Sequence, residues 1–352
     1  MVSMCCMDIR GILLAPATPE YWMDVQHIAT LEAGKDYPRN WNDFLDWFSS
    51  EEACLAYLER LRWPTEFVCP NCGVTDEPYR SSRSRLMCRS CSHQSTVTAG
   101  TIFEKTRTPL RVWLAGAWYV TNQKQGVNAL GLQRVLGLGS YQTAWAMLHR
   151  FRQAMVRPGR ERLKGLVEID ETYLAITDRQ APTSTKKRKS NTDKVLVAIA
   201  VEVIEPKGFG RIRLQRILDD SASSVVPFVQ NSVEPGCALR TDGSAAYRSL
   251  KDLGYDHQRT VMLGAEQPAH VAMAGVHRVA ALVQRWVLGT HHGAVQPAHL
   301  DAYLNEFVFR FNRRTSSSRG LLFYRLLQQA MQTSPYTYSD ITKASPKPPD
   351  KV

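Results

Sequence analysis

The chain has 352 residues, 44% of them hydrophobic, and 44 Lys and Arg set against 33 Asp and Glu give a formal charge of +11. That length holds two or three domains with real cores, and the composition excludes a disordered chain. The positive balance favours polyanionic partners such as nucleic acid, and no run of about 18 uncharged apolar residues is present to suggest a membrane-spanning helix.

Residues 1–37 carry no clear pattern and are left as an unassigned N-terminal extension. The first stretch, MVSMCCMDIRGILLAPATPEYW, is a poor signal peptide because its short apolar core holds Asp8 and Arg10. The expectation is a cytoplasmic protein with reduced thiols. From Trp41 to Arg62 the apolar positions Phe44, Trp47, Phe48, Leu55, Leu58 and Leu61 recur at helical spacing, and Ser49 and Ser50 precede Glu51 as N-cap residues. Two short helices therefore lead into the next element.

That element is CPNC at 69–72 and CRSC at 88–91, two Cys-x-x-Cys knuckles with fifteen residues between them. Cys69, Cys72, Cys88 and Cys91 have the spacing at which four thiolates close on a structural Zn²⁺, and Pro70, Gly73 and Ser90 supply the turns. Helical lead-in and ribbon together fill 38–105. PLRVWLAGAWYVT (109–121) reads as an apolar helix, and Val127–Leu136 with Tyr141–Met155 as two more, separated by LGLGS. A helix, a short Gly turn and a second helix over 106–160 outline a helix-turn-helix. Its second helix offers Ser140, Gln142 and Thr143 to bases and His149, Arg150 and Arg152 to phosphates. The bland alternative is an ordinary helical hairpin with Trp145, Leu148 and Phe151 in the core.

From Gly165 the texture changes. LVEIDETYL, KVLVAIAVEVI (194–204) and GRIRLQRIL (210–218) read as successive strands, with a basic loop, TDRQAPTSTKKRKSNTD, between the first two. A helix from Ser221 to Val233 follows, then the strand in CALRTDGSAAY (237–247). This β-β-β-α-β order sets the ends of the first and fourth strands side by side, bringing Asp170 toward Asp242, 72 residues later. Two such carboxylates bind a pair of divalent cations, with hard oxygens favouring Mg²⁺ or Mn²⁺, or else they make ordinary turn hydrogen bonds.

Taken in order, EEACLAYLERLRWPTEFVCPNCG, YQTAWAMLHRFRQAM, VEIDETYL, VAIAVEV, TDGSAAYRSL with GYDH, VHRV, RWVLGTHHGAV and FVFRFNRR make the chain resemble the bacterial insertion-sequence transposases of the ISXO type. The resemblance covers about Asp43 to Gln328. It implies an α+β multidomain fold: a zinc ribbon, a helix-turn-helix region and an RNase H-like domain with a mixed sheet over 161–335, before a tail at 336–352. It implies binding to the terminal inverted repeats of an element, metal-dependent cleavage and strand transfer, with Asp170 and Asp242 as the first two metal-binding acids. Double-stranded DNA, a homo-oligomer on that DNA and a nucleoid location are the implied partners and place.

The family's SNLKRW-like segment corresponds here to VHRVAALVQRW, which puts Leu282 and Gln284 at the Asn and Lys positions. Leu282 has no ligating atom and Gln284 no charge, so the resemblance implies impaired catalysis, or a non-catalytic DNA-binding remnant. His277 and Glu306 are the residues that can substitute. His277 with Arg278 is read first as a phosphate contact, Glu306 as part of a structural helix, and Arg310, Arg313 and Arg314 as a basic edge that either faces DNA or is merely solvated. The ending SPKPPDKV is expected to be disordered.

Overall fold

A computed structural model of the chain describes residues 31–81, 84–157, 159–176, 194–206, 208–259 and 273–343. The basic loop 177–193 and the ending 345–352 lie outside them. The first two helices, α1 (Trp41–Trp47) and α2 (Glu51–Arg62), start where short polar side chains can take up free N–H groups. Asn40 accepts from Asn42 and Asp43, and Ser50, one of the two expected caps, accepts from Ala53. Three short antiparallel strands follow in the order β1 (Tyr79–Arg80), β2 (Arg85–Met87), β3 (Gln94–Thr96).

Next come α3 (Leu110–Asn122), α4 (Ala129–Leu136) and α5 (Tyr141–Ala154). Gly137 ends α4 in the left-handed region at φ 64°, where a Cβ would be penalised, and Ser140 caps α5 through the Thr143 N–H. Helix, turn and helix thus form where the Gly turn places them.

The larger sheet has the order β6-β5-β4-β7-β8, built from β4 (Leu166–Ala175), β5 (Lys194–Val203), β6 (Phe209–Arg216), β7 (Ala238–Thr241) and β8 (Asp256–Arg259). The first three strands are antiparallel neighbours, while β4, β7 and β8 run parallel. Between β6 and β7 the chain crosses over through α6 (Ala222–Ser232). This mixed sheet is the RNase H-like arrangement.

The two sides of the sheet face different helices. Val167 and Ile169 pack with Val225, Phe228 and Val229 of α6. Val197, Ile199 and Val201 pack with Val276, Val279 and Val283 of α7 (Ala274–His291) and with Leu304 and Phe307 of α8 (Leu300–Phe311). Strand period two accounts for this division, since alternate residues point to opposite faces.

The last long helix, α9 (Arg319–Ala330), follows the sheet in the chain but packs with the N-terminal helices. Phe323 meets Phe44, Phe48, Tyr57 and Trp118 at ring-centroid distances of 5.4 to 6.2 Å. Each such buried ring contributes roughly 2–3 kcal/mol. A short helix, α10 (Tyr338–Thr342), ends the described chain. No helix among the described residues is long and apolar enough to cross a membrane.

The α9 docking depends on Gly320, where an added Cβ would lie 1.9 Å from the Pro38 carbonyl oxygen and 2.7 Å from the Tyr37 ring. Backbone cannot swing aside as a flexible side chain can. Gly320→Ala is therefore expected to lower stability by about 1–3 kcal/mol or more, measured by urea unfolding, and an unchanged midpoint would contradict this packing.

Candidate active site and metal centre

The ribbon brings its four cysteines together. Their ligand atoms all lie within 4.8 Å of one another, with Cys69 and Cys91 sulfurs 3.7 Å apart and Cys72 and Cys88 sulfurs 3.6 Å apart. Four sulfurs each about 2.3 Å from one zinc would be about 3.8 Å from each other, so the donor set fits tetrahedral Zn²⁺. The knuckles match locally. The Gly73 N–H donates to the Cys69 carbonyl and Ser92 N–H to the Cys88 carbonyl, with φ 72° and 57° at the two donors. Asn71 also donates to the Cys91 sulfur.

With such a small sheet, metal binding supplies folding energy, and zinc here is structural. Stripping zinc with a strong chelator is expected to open the 69–91 segment to protease while the five-stranded sheet stays protected. Equal protection of both with the metal gone would contradict a zinc-held ribbon.

The second constellation sits on the large sheet. Leu166, Val167 and Glu168 of β4 lie beside Ala238, Leu239 and Arg240 of β7 in parallel register. Continuing that register by two residues puts Asp170 level with Asp242, which follows β7 directly. Burial is the main cause that raises the Asp170 carboxyl above its ordinary range; the Glu171 N–H lowers it, the Asp242 charge raises it and His277 lowers it. The two aspartates therefore feel each other's charge. Both also make the turn bonds of the alternative reading: Asp170 Oδ1 accepts from the Glu171 N–H at 2.8 Å, and Asp242 Oδ1 from the Ser244 N–H at 2.9 Å. The other oxygen of each accepts no hydrogen bond among the described residues.

The neighbouring acids do other work. Glu168 is 2% exposed and accepts the Gly275 and Val276 N–H groups at 2.7 and 3.1 Å, so it caps the N-terminus of α7. Arg240 sits 3.4 Å from its other oxygen. Glu171 faces the opposite side and accepts from the Tyr247 hydroxyl at 2.5 Å. Burial pushes the Glu171 carboxyl up to about 7, the Tyr247 bond opposing it and Asp170 and Asp242 adding to it. Neither role is visible in EIDE itself, although strand alternation already separates Glu168 and Asp170 from Glu171.

Glu168 pins the start of α7, and Gln284 pins it farther along, donating to Thr172 Oγ1 at 3.2 Å and the Tyr173 carbonyl at 3.4 Å. Between these fixings the helix passes Asp170. His277 is the α7 residue whose charge reaches that carboxyl, and its Nε2 is buried with no hydrogen-bond partner among the described residues. Leu282 packs against the apolar core beneath the sheet, and Arg278 is exposed. Among the described residues the cysteines are the one group of three or more acidic, His or Cys ligands closing within 4.8 Å; Asp170, Asp242 and His277 are a looser set.

The helix-turn-helix residues separate into two groups. Gln142 is exposed, Ser140 and Thr143 are half-buried, and Gln142 and Thr143 line a groove of about 420 Å³ with Lys105, Arg107, Arg150 and Tyr338. Arg150 already gives donors to the Tyr336 and Ile102 carbonyls. Arg152, expected at a phosphate, is instead 1% exposed and paired with Glu306 at 2.8 Å, and His149 is buried beside it. Both point into the molecule because α5 lays that face against α8. Glu306 is held by Arg152 and Arg310 in that same contact.

The ISXO2-like transposase domain matches residues 162–312, and a transposase zinc-ribbon domain matches 49–94. A Halobacterium salinarum protein, described as an uncharacterized protein in transposable element ISH50, is 27% identical over 279 residues, covering 75% of this chain and 91% of that one. A chain of the simian T-cell lymphotropic virus intasome bound to PP2A regulatory subunit B56 gamma is 11% identical, covering 54% of this chain and 67% of that one. Its TM-score of 0.27 is too low to carry an argument. The two domain matches lie in order, one on the cysteine ribbon and the other on the sheet that carries Asp170 and Asp242. The chain carries a transposase zinc-ribbon domain followed by an ISXO2-like transposase domain.

Proposed function

We propose that this chain binds the terminal inverted repeats of its element and performs metal-dependent DNA cleavage and strand transfer, with Asp170, Asp242 and His277 as the site. The observation that carries this is the parallel β4–β7 register, which levels Asp170 with Asp242 under the helix that bears His277. Bound Mg²⁺ or Mn²⁺ would activate the attacking hydroxyl and stabilise the leaving oxygen of a phosphodiester. Asp170 and Asp242 would each offer such an ion the carboxylate oxygen that has no hydrogen bond among the described residues, and the Glu171 and Ser244 N–H groups hold the other oxygen in place. His277 offers, from α7, a buried ring nitrogen that has no hydrogen-bond partner among the described residues. Glu168 positions this helix by capping its start.

In this reading Leu282 is a core residue and its lack of a ligating atom does not impair the site. Ser140, Gln142 and Thr143 present the base-reading end of α5, and the exposed Arg278 meets backbone phosphate. A second reading, a DNA-binding remnant without chemistry, is favoured by Gln284, whose amide is spent on β4 and which brings no charge to a phosphate.

The test uses the zinc-loaded full chain and a duplex carrying the element's end, with Mg²⁺ or Mn²⁺ added or withheld. Nicking at the end only with the ion is expected, and His277→Ala should lose it while keeping binding. Binding without nicking under every ion establishes the remnant.

A further inference from the structure

The basic edge that follows α8 and the cations beside it are divided by the structure into arginines spent on fixed structural partners and cations that keep donors to spare. We propose that a crevice between α3, α8 and α9 is a binding site for backbone phosphates of DNA, a contact separate from the helix-turn-helix. This rests on the DNA-binding reading above. The crevice has a volume of about 120 Å³ and is lined by Lys124, Arg310, Arg313, Arg314 and Arg319, with no carboxylate in its wall.

Two of these arginines build the wall. Arg310 bonds to Glu306 and to the Val120 and Gln123 carbonyls. Arg314 bonds to the Phe311, Gly210 and Phe209 carbonyls. The start of β6 is thereby tied to α8, at the end of the sheet away from Asp242, since Val203 pairs with both Phe209 and Leu166, and Leu166 with Ala238 at the start of β7.

The other three are available. Arg313 lies over the Phe309 ring at 4.1 Å and gives one nitrogen to the Phe309 carbonyl. Lys124 and Arg319 have no hydrogen-bond or ion-pair partner among the described residues. Arg319 also opens the twelve-residue helix α9, whose N-terminal dipole favours an anion.

Cations gathered in a small space repel one another unless an anion joins them, and the guanidinium fork matches phosphate oxygens. Burial pushes the Arg313 guanidinium down to about 10, with the Arg157 and Arg325 charges adding to the shift. The charge extends beyond the crevice. Arg213 is buried and gives its donors to the Ile212 and Glu161 carbonyls, and it feels Arg160, Arg211 and Arg313. The acids along this strip are already taken, Glu202 by Arg211 and Glu161 by Arg211 and Arg157. A strip suits a polyanion; a single phosphate ion would need only the crevice.

The experiment compares the full chain with a Lys124→Ala, Arg319→Ala double variant by fluorescence anisotropy over a range of salt. The probes are a duplex bearing the element's end, an unrelated duplex and inorganic pyrophosphate as competitor. Because neither side chain holds the fold together, the variant should melt with the wild type. Its affinity should fall about tenfold or more on both duplexes, and the slope of log K against log salt should flatten by about two, one per lost phosphate contact. A Lys124→Arg, Arg319→Lys variant should restore both.

Equal affinity and slope in the wild type and the alanine variant would overturn the proposal. So would pyrophosphate binding that is lost in the alanine variant while DNA binding is not, which would make the crevice a small-anion site. If the wild type binds neither duplex, the DNA-binding reading itself falls and takes this one with it.

Discussion

Replacing Glu306 with alanine is expected to lower stability by about 3–5 kcal/mol, because it leaves buried guanidiniums without their counter-charge. Glu306 and Arg152 are each 1% exposed. One Glu306 oxygen accepts from Arg152 Nε at 2.8 Å and the other from Arg310 Nε at 2.8 Å, while Arg152 lies 3.9 Å from the centroid of the Tyr303 ring. Arg310 continues to carbonyls of α3 and the segment after it. A single carboxylate thus joins the second helix of the helix-turn-helix, a helix of the sheet domain and the helix beneath both.

Desolvation alone would raise the Glu306 carboxyl, but Arg310 and Arg152 outweigh it and hold it down at about 2. A folded-state value below the unfolded one gives stability that is complete above the ordinary carboxylate range. That stability is lost as pH falls from there toward 2. Urea unfolding at several pH values checks both points. A variant within about 1 kcal/mol of the wild type at neutral pH would mean that Glu306 is not the joint described here.

Asp170→Asn and Asp242→Asn are each expected to reduce DNA cleavage by about a thousandfold, the loss that follows when several kcal/mol of charge stabilisation leave the transition state. The amide oxygen can still accept the Glu171 or Ser244 N–H, so each variant should fold. In the metal-free protein Asp170→Asn removes a carboxyl whose charged form burial and Asp242 disfavour. That variant should therefore be at least as stable as the wild type while losing its chemistry. Initial rates of end nicking and thermal melting of the same preparations decide the matter. Cleavage at the wild-type rate from either variant would remove the two aspartates from the site.

The ribbon was legible because four cysteines at fixed spacing are a local pattern, and the β-β-β-α-β order because strand texture is local too. Gly137 and Ser140 marked the turn between α4 and α5 for the same reason. Arg152 was not legible: an arginine reads as solvent-facing until α8 supplies Glu306, 154 residues away. The three available cations of the crevice, Lys124, Arg313 and Arg319, were equally hidden, since their availability depends on which other arginines find carbonyls.

For the candidate site, the sequence by itself determined which strands bring Asp170 and Asp242 together, although β4 runs on past Asp170 to Ala175 instead of ending there. Only the tertiary structure decided which α7 residue acts on Asp170, because that depends on where the helix is pinned. The Glu168 cap at one end and Gln284 at the other set its height along β4, and at that height His277 acts on the Asp170 carboxyl through its charge while Leu282 packs, partly buried, against the core. Helix position along a strand is set by contacts far apart in the chain, and a single sequence carries no local signal for it.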